Sequence, residues 1–412
     1  MRSLYTIMLR LALPLILLRL WWRGQREPGY RQGVTERLGI YATEKPEKLV
    51  WIHAVSVGEA RAAAPLARAL QAEFPDHAML LTCTTAAGRE TLKQLWGESV
   101  LSSYLPYDFP EAVQGFLQHF RPRLGVLMET EVWPNLLAAC AASAVPVLLA
   151  NARMSEKSAR GYRRWRALAA PAFGSLAAVC AQSRDDAERL ARLGAAGVEV
   201  TGNLKFDVEP DAAKLAAGRD WHGRLRRPVL LLASTREGEE QLLLDALPEW
   251  DGRLLVVVVP RHPQRFDEAA QRADVRRSRS EVPGEKHRIY LGDTMGEMPF
   301  YYGACDVAVI GGSFAPLGGQ NLIEALAAGA PVVLGPSMFN FAEATRLALE
   351  AGAAIQVEDA AAAIRESVKL LASPQKREQM SAAGKKLCES HRGATERHLA
   401  VCRRLLTGRA PG

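Results

Sequence analysis

DVAVIGGSFAPLGGQNLIEALAAGAPVVLGP, residues 306 to 336, runs through three patterns in order. An apolar run leads into glycines, a stretch with helical spacing follows, and a second apolar run, APVVLGP (330 to 336), closes it. Strand, glycine-rich turn, helix and strand make the βαβ unit of a parallel sheet covered by helices. The turn is neither GxGxxG nor a P-loop, which argues against NAD and ATPase chemistry. Its glycines let the backbone approach a phosphate, and the helix that follows offers N–H groups and a positive dipole end. Asn321 and Glu324 are three apart and share a helix face. A carboxylate there is placed to accept hydrogen bonds from ribose hydroxyls.

The same alternation extends outward in both directions. Upstream lie RPVLLLAST (227 to 235), RLLVVVVPR (253 to 261) and HRIYLGD (287 to 293). A break follows VTGNLKFDVEPDA, and before it the pattern occurs again in KLVWIHAVS (48 to 56), AMLLTCTT (78 to 85), LGVLMET (124 to 130), VPVLLANA (145 to 152) and SLAAVCAQS (175 to 183). A chain of 412 residues is too long for one core. The expected fold is therefore α/β: two Rossmann-like, doubly wound domains in tandem, with strand ends facing a cleft. The boundaries read as 31–207 for the first domain, 208–226 for a linker, 227–395 for the second domain and 396–412 for a C-terminal tail. With 48% hydrophobic and 24% charged residues the chain is globular, and its net charge of +7 suits an acidic partner. The six cysteines form no CxxC pair and show no zinc spacing with the histidines, so they read as buried thiols in a reducing compartment.

Residues 1–30 form a separate segment, MRSLYTIMLRLALPLILLRLWWRGQREPGY. Its apolar stretch is interrupted by Arg10, Arg19 and Pro14, barely long enough to span a bilayer, and no small-residue cleavage site follows. It reads either as a signal anchor that leaves the body cytoplasmic or as an interfacial helix with Trp21 and Trp22 at headgroup level and arginines on anionic lipid.

Acids collect at strand ends in the first half: Glu59 after Val57-Gly58, Glu129 and Glu131 in METEVWPN, and Asp108 in YLPYDFP. A carboxylate at a strand end works as a general base if burial lifts its pKa toward neutrality, whereas an acid in a first helical turn also serves as a helix cap. His53 reads as a strand-end residue that packs or orients. NARMSEKSARGYRRWR (151 to 166) concentrates arginine and lysine with aromatics, a composition able to clamp phosphates, and no nucleic-acid fold motif accompanies it. Arg261 directly follows a buried strand. Tandem α/β halves with this glycine loop suggest a nucleotide-sugar glycosyltransferase of the two-domain GT-B type.

SVGE (56 to 59), METEVWPN (128 to 135), NARMSEKSARGY (151 to 162), LKFD (204 to 207), PRHPQRF (260 to 266), GDTMGE (292 to 297) and GGQNLIEA (318 to 325) occur in this order. Together, over residues 1 to about 350, they closely resemble the 3-deoxy-D-manno-oct-2-ulosonic acid (Kdo) transferases of lipopolysaccharide assembly. The resemblance implies inverting transfer of Kdo from CMP-Kdo to lipid IVA on the cytoplasmic side of the inner membrane, with release of CMP and no bound metal or other cofactor. It assigns the proton acceptor to Glu59 and transition-state stabilisation to Glu129 and Lys205. It places nucleotide contacts at Pro260 and Arg261, at Met295, Gly296 and Glu297, and at Asn321, Leu322, Ile323 and Glu324. Many relatives have His where this chain has Gln320 and Pro where it has Leu322. The basic run, through Arg153, Lys157, Arg160 and Arg163, and the arginine-flanked N-terminus suit an anionic, acylated acceptor. Two other readings compete: a GT-B transferase using a UDP-sugar, and a membrane-bound homologue without activity. The sequence leaves the number of Kdo units added, the acyl preference and the oligomeric state open.

Overall fold

The computed structural model describes residues 1–43, 45–249 and 252–408. The chain divides into two units: Met1–Asp207 together with the C-terminal segment from Gly393, and Val208–Arg392.

The first unit is built on seven parallel strands: β1 (Leu49–His53), β2 (Ala78–Cys83), β3 (Leu101–Tyr104), β4 (Leu124–Met128), β5 (Val147–Ala152), β6 (Ala178–Ala181) and β7 (Val198–Val200). Their order is β3-β2-β1-β4-β5-β6-β7. The strand order reverses between β1 and β4, where ligands bind in open α/β sheets, beyond the carboxyl ends of the strands. Helices cover both faces, so β1, β4 and β5 are buried along their whole length. At the reversal Trp51 of β1 pairs in register with Gly125 of β4. A Cβ on Gly125 would stand 2.9 Å from the indole of Trp51, so only glycine admits that ring here. The indole N–H donates to Thr82 Oγ1 at 2.7 Å.

Two segments outside the sheet belong to this unit. The N-terminal helix, Arg2–Arg26, passes through Pro14 and is the one helix among the described residues long and apolar enough to cross a membrane. The C-terminal segment corrects the expected tail: Ala394–Thr407 is a helix packed on the helix Val57–Glu73, with Ala394, Leu399, Val401 and Cys402 inside the first unit's core. Its apolar positions recur at helical spacing and need a partner. Residues 409–412 of that expected tail lie outside the described residues.

The second unit repeats the architecture with β8 (Val229–Thr235), β9 (Leu255–Pro260), β10 (Val275–Arg276), β11 (Ile289–Leu291), β12 (Val307–Ile310), β13 (Val332–Leu334) and β14 (Ala354–Gln356), in the order β10-β11-β9-β8-β12-β13-β14. All are parallel, and the reversal falls between β8 and β12. The expected linker 208–226 is instead largely the helix Ala212–Leu225. It packs on the helix Met298–Ala304, and the Trp221 ring meets those of Tyr290 and Phe300 at a tilt. The six cysteines are free thiols, five buried and Cys305 half-buried.

Candidate functional site

Glu59 sits in the first turn of the helix that follows β1, on the β1 side of the reversal. Ser56 caps that helix. Its hydroxyl donates to Glu59 Oε1 at 3.2 Å and accepts the Glu59 backbone N–H, while Val55 N–H donates to Glu59 Oε2 at 2.9 Å. This is a variant of the capping box, with the side chain on the N–H of Val55 rather than on that of the N-cap Ser56, so the carboxylate does close the helix start. It is also electrostatically unusual. Burial raises its pKa, and the charges of Glu129 and Glu131 add to that. The hydrogen bonds from Val55 and Ser56 offset only part, and the carboxyl reaches about 7.

Glu129 follows β4 directly, on the other side of the reversal, with φ at +58°. An L residue in that region is uncommon and marks a position fixed by its surroundings. Its Oε1 accepts from Lys205 Nζ at 2.8 Å, and Arg153 lies 3.9 Å from Oε2. Burial alone would raise the Glu129 pKa, but the charge and hydrogen bond of Lys205, aided by Arg153, hold it below the ordinary carboxylate value. Two glutamates around one strand reversal are thus driven apart, one toward neutrality and one firmly anionic. Such separation marks acid–base sites.

The Lys205 turn, Leu204–Asp207, is braced from below. Asn151, buried and at φ +51°, accepts the Leu204 N–H on its side-chain oxygen at 3.0 Å. The Asn151 N–H donates to His398 Nε2 at 2.9 Å, and His398 Nδ1 pairs with Ala394 O at 2.7 Å. Burial lowers the His398 pKa to about 4, so the ring is neutral and serves as an acceptor. Asp207 accepts from the N–H groups of Gly393 and Thr395. Sequence reading missed Asn151 and His398 as supports because their partners are 53 and 247 residues away.

The remaining acids and bases of the first unit separate cleanly. Asp108 is a cap: it accepts from the backbone N–H groups of Asn135 and Leu136 at 3.0 and 2.7 Å, at the start of the helix Pro134–Ala142. Glu131 accepts from the Trp133 indole at 2.9 Å. His53 is fully buried against Thr82 Oγ1, and burial lowers its pKa to about 3, so it packs as a neutral ring. Of the basic run, Arg153 joins Glu129, whereas Lys157 and Arg160 are on the exposed face of the helix Glu156–Arg164 and Arg163 pairs with Glu156.

In the second unit, Pro260 ends β9 and the Arg261 N–H donates to Thr235 O, fixing that residue beside the end of β8. Asn321 Oδ1 accepts the Ile323 N–H and its Nδ2 donates to Glu324 Oε1 at 2.9 Å, so the two polar side chains form one unit. Leu322 and Ile323 are core side chains, leaving their backbone as the polar surface of that stretch. Met295 is exposed, Gly296 takes φ +78°, and Arg277 holds the Glu297 carboxylate with two hydrogen bonds, keeping it ionised.

The expectation that the glycine loop offers its amides to a phosphate meets a correction. Buried Glu239 accepts from Gly312 N–H at 2.6 Å and Phe314 N–H at 2.9 Å. Gly319 and Gln320 donate to the carbonyls of Gly312 and Gly311, and Gly318 donates to Ser337. An internal carboxylate stands where an anion was expected. Its neighbour Glu240 accepts from Thr235, and both of its carboxylate oxygens accept from one nitrogen of Arg265, Nη1, at 2.8 Å, both side chains buried. Glu239 and Glu240, in STREGEE (234 to 240), belonged to no motif that the sequence singled out.

Comparison with known proteins adds independent findings. Residues 32–208 match the family model described as 3-deoxy-D-manno-octulosonic-acid transferase (kdotransferase), and residues 250–387 match glycosyl transferases group 1. The 3-deoxy-D-manno-octulosonic acid transferase of Bordetella pertussis is 46% identical, covering 97% of this chain and 98% of its own. The transferase of the same name from Haemophilus influenzae is 36% identical over 97% of each. Among solved structures, a UDP-GlcNAc 2-epimerase from Neisseria meningitidis aligns over 88% of this chain and all of its own at 17% identity and a TM-score of 0.58, a likeness of fold. By kinship along nearly its whole length, the chain belongs to the 3-deoxy-D-manno-octulosonic acid transferases, a family of glycosyltransferases.

Proposed function

We propose that this protein moves Kdo from CMP-Kdo to lipid IVA with inversion, using Glu59 as the general base. The observation that carries the reading is the poise of Glu59 near pH 7 beside an anionic Glu129. A base of that strength is half-ionised at neutral pH and takes a proton from a sugar hydroxyl as its oxygen attacks. The new bond forms at the anomeric carbon of Kdo, and the bond from that carbon to the phosphate oxygen breaks. CMP leaves with the electron pair, and the proton rests on Glu59. Lys205, oriented by Glu129, supplies positive charge toward the anion that develops or toward the Kdo carboxylate. Glu129 acts through both neighbours: it raises the basicity of Glu59 and fixes Lys205.

The nucleotide is assigned to Pro260, Arg261, Met295, Gly296, Glu297 and Asn321 to Glu324, with the Asn321–Glu324 pair on the ribose and Arg261 on the phosphate. Leu322 and Ile323 take part through their backbone. The exposed Lys157, Arg160 and Arg163 are assigned to the phosphates of the acceptor. The N-terminal helix holds the enzyme at the cytoplasmic face of the inner membrane. No metal or other cofactor has a part in these steps.

The test is a coupled assay in which CMP-Kdo is generated in situ and lipid IVA is added to the detergent-solubilised protein. Products are read by mass spectrometry, with Glu59→Ala in parallel. Kdo increments on lipid IVA from the wild type alone support the reading, and their number gives the count of sugars added. A wild type that binds CMP and makes no product refutes the acceptor assignment. Tighter binding of UDP than CMP refutes the donor assignment.

A further inference from the structure

A cavity of about 740 Å³ opens in the first unit where the start of the N-terminal helix meets the helices Pro110–Phe120 and Pro134–Ala142. Its lining includes none of Glu59, Glu129 or Lys205. We propose that it holds the headgroup of one anionic membrane phospholipid, separate from the sugar acceptor. Three features of the cavity point to that chemistry.

The first is charge. Arg2 and Arg10 from the N-terminal helix and Arg121 from the end of the helix Pro110–Phe120 converge on its wall. Two carboxylates face these three: Glu111 pairs with Arg10, and the buried Asp108, already held by the N–H groups of Asn135 and Leu136, feels the charge of Arg2. Guanidinium groups match phosphate oxygens in bidentate geometry. The second is the floor, where Ile7, Leu117 and Ala138 offer apolar contact to a glycerol and the first carbons of acyl chains. The third is the setting. Leu4, Met8, Leu11, Leu15, Leu18 and Trp22 recur at spacings of three and four along the N-terminal helix and all are more than half exposed. That stripe is an uncovered apolar face beginning at the cavity mouth. Thr6, Leu20 and Gly24 on the other side are buried. A helix with one apolar face outward and the other packed on protein is held against the bilayer, which brings the arginines at its start to phosphate depth. The size falls within the range of about 300 to 1,000 Å³ usual for small-molecule sites.

The inference rests on membrane association of the N-terminal helix, and the experiment separates the two. The full-length protein is mixed with vesicles of phosphatidylcholine alone or with phosphatidylglycerol, including a trace of phosphatidylglycerol bearing a photo-crosslinker near its headgroup. Flotation reports association, and peptide mapping reports where the crosslink falls. We expect flotation on both vesicles, a saturable crosslink in the segment 110–143, and its loss in the triple variant Arg2→Gln, Arg10→Gln, Arg121→Gln. At about fivefold per arginine, that variant should bind anionic vesicles roughly a hundredfold more weakly. Ala138→Trp, which fills the cavity and removes no charge, should abolish the crosslink and leave flotation on phosphatidylcholine intact, which also controls for misfolding. No flotation on either vesicle overturns the membrane reading and this site with it. Flotation with crosslinks confined to the helix stripe or to 153–166 overturns the site alone. Equal protection of the crosslink by glycerol phosphate in solution would mean a soluble phosphate ligand, and overturns the lipid.

Discussion

Replacing Glu59 by glutamine should make the enzyme inactive and more stable, and the stability gain should depend on pH. The carboxyl is lifted from 4.5 to about 7 in the folded protein. At roughly 1.4 kcal/mol per pH unit, holding the ionised form in place costs about 3 kcal/mol. Because the folded state binds this proton more tightly than the unfolded chain, the associated stability is complete below about pH 4.5 and is lost as pH rises through 7. Glutamine is neutral at every pH and retains an oxygen for the Val55 N–H. At pH 8 it should therefore stabilise the first unit by up to about 3 kcal/mol, while near pH 4.5 it should match the wild type. Turnover should fall by about 10² to 10⁴, the usual worth of a positioned base. Urea unfolding at the two pH values measures the first quantity, with hydrogen exchange in the helix Val57–Glu73 to assign it to this unit. The coupled Kdo assay measures the second. A glutamine variant that is less stable than wild type at pH 8, or shifted equally at both pH values, would mean that Glu59 is chiefly a helix cap. Retained turnover would remove it as the base.

Three further outcomes follow from the same geometry. The kcat/KM of the wild type should rise with pH to a midpoint near 7, and Glu129→Gln should move that midpoint down without returning it to 4.5, since burial remains the larger cause; a pH–rate series reads both. His398→Ala removes the acceptor of a buried Asn151 N–H and should cost about 1 to 3 kcal/mol in thermal unfolding. It should also lower kcat more than it raises KM for CMP-Kdo, because the Lys205 turn hangs from Asn151. Glu324→Ala should weaken CMP binding in titration calorimetry by about tenfold, the order of one lost hydrogen bond to a charged group, while Glu59→Gln should stay within a few-fold of wild type.

Long central strands were legible because a parallel sheet buried on both faces writes itself as uninterrupted apolar runs, as in LVWIH and LVVVVP. The short strands β3, β7, β10 and β14 span two to four residues and leave no such run. The first domain's end at 207 coincides with the unit boundary, whereas the start of the second domain and its C-terminal limit slipped for a related reason. The helices Ala212–Leu225 and Ala394–Thr407 have patterns that say something must cover them, and nothing in the pattern says which unit does. Glu129 stood out by following its strand directly, and Glu59 by opening the helix just after one. Asp108 stood in a similar place and turned out to be a cap, a distinction made by which N–H groups point at it. The glycine loop was legible as a tight turn but not as one already filled, since Glu239 lies 73 residues before Gly312.

The return of the C-terminal helix to the first unit also bears on synthesis. A chain emerging from the ribosome in order offers residues 49 to 207 early, yet the core they enclose lacks Leu399, Val401 and Cys402, and the Lys205 turn lacks His398, until the helix Ala394–Thr407 has been made. Domains generally fold as they emerge. Here the later-made unit, Val208–Arg392, is complete in sequence while the earlier one still awaits the helix Ala394–Thr407. The nascent protein must carry an unsealed sheet for the whole time it takes to make the 185 residues between. A stop directly after Arg392 would leave a finished second unit attached to a first one that has never closed.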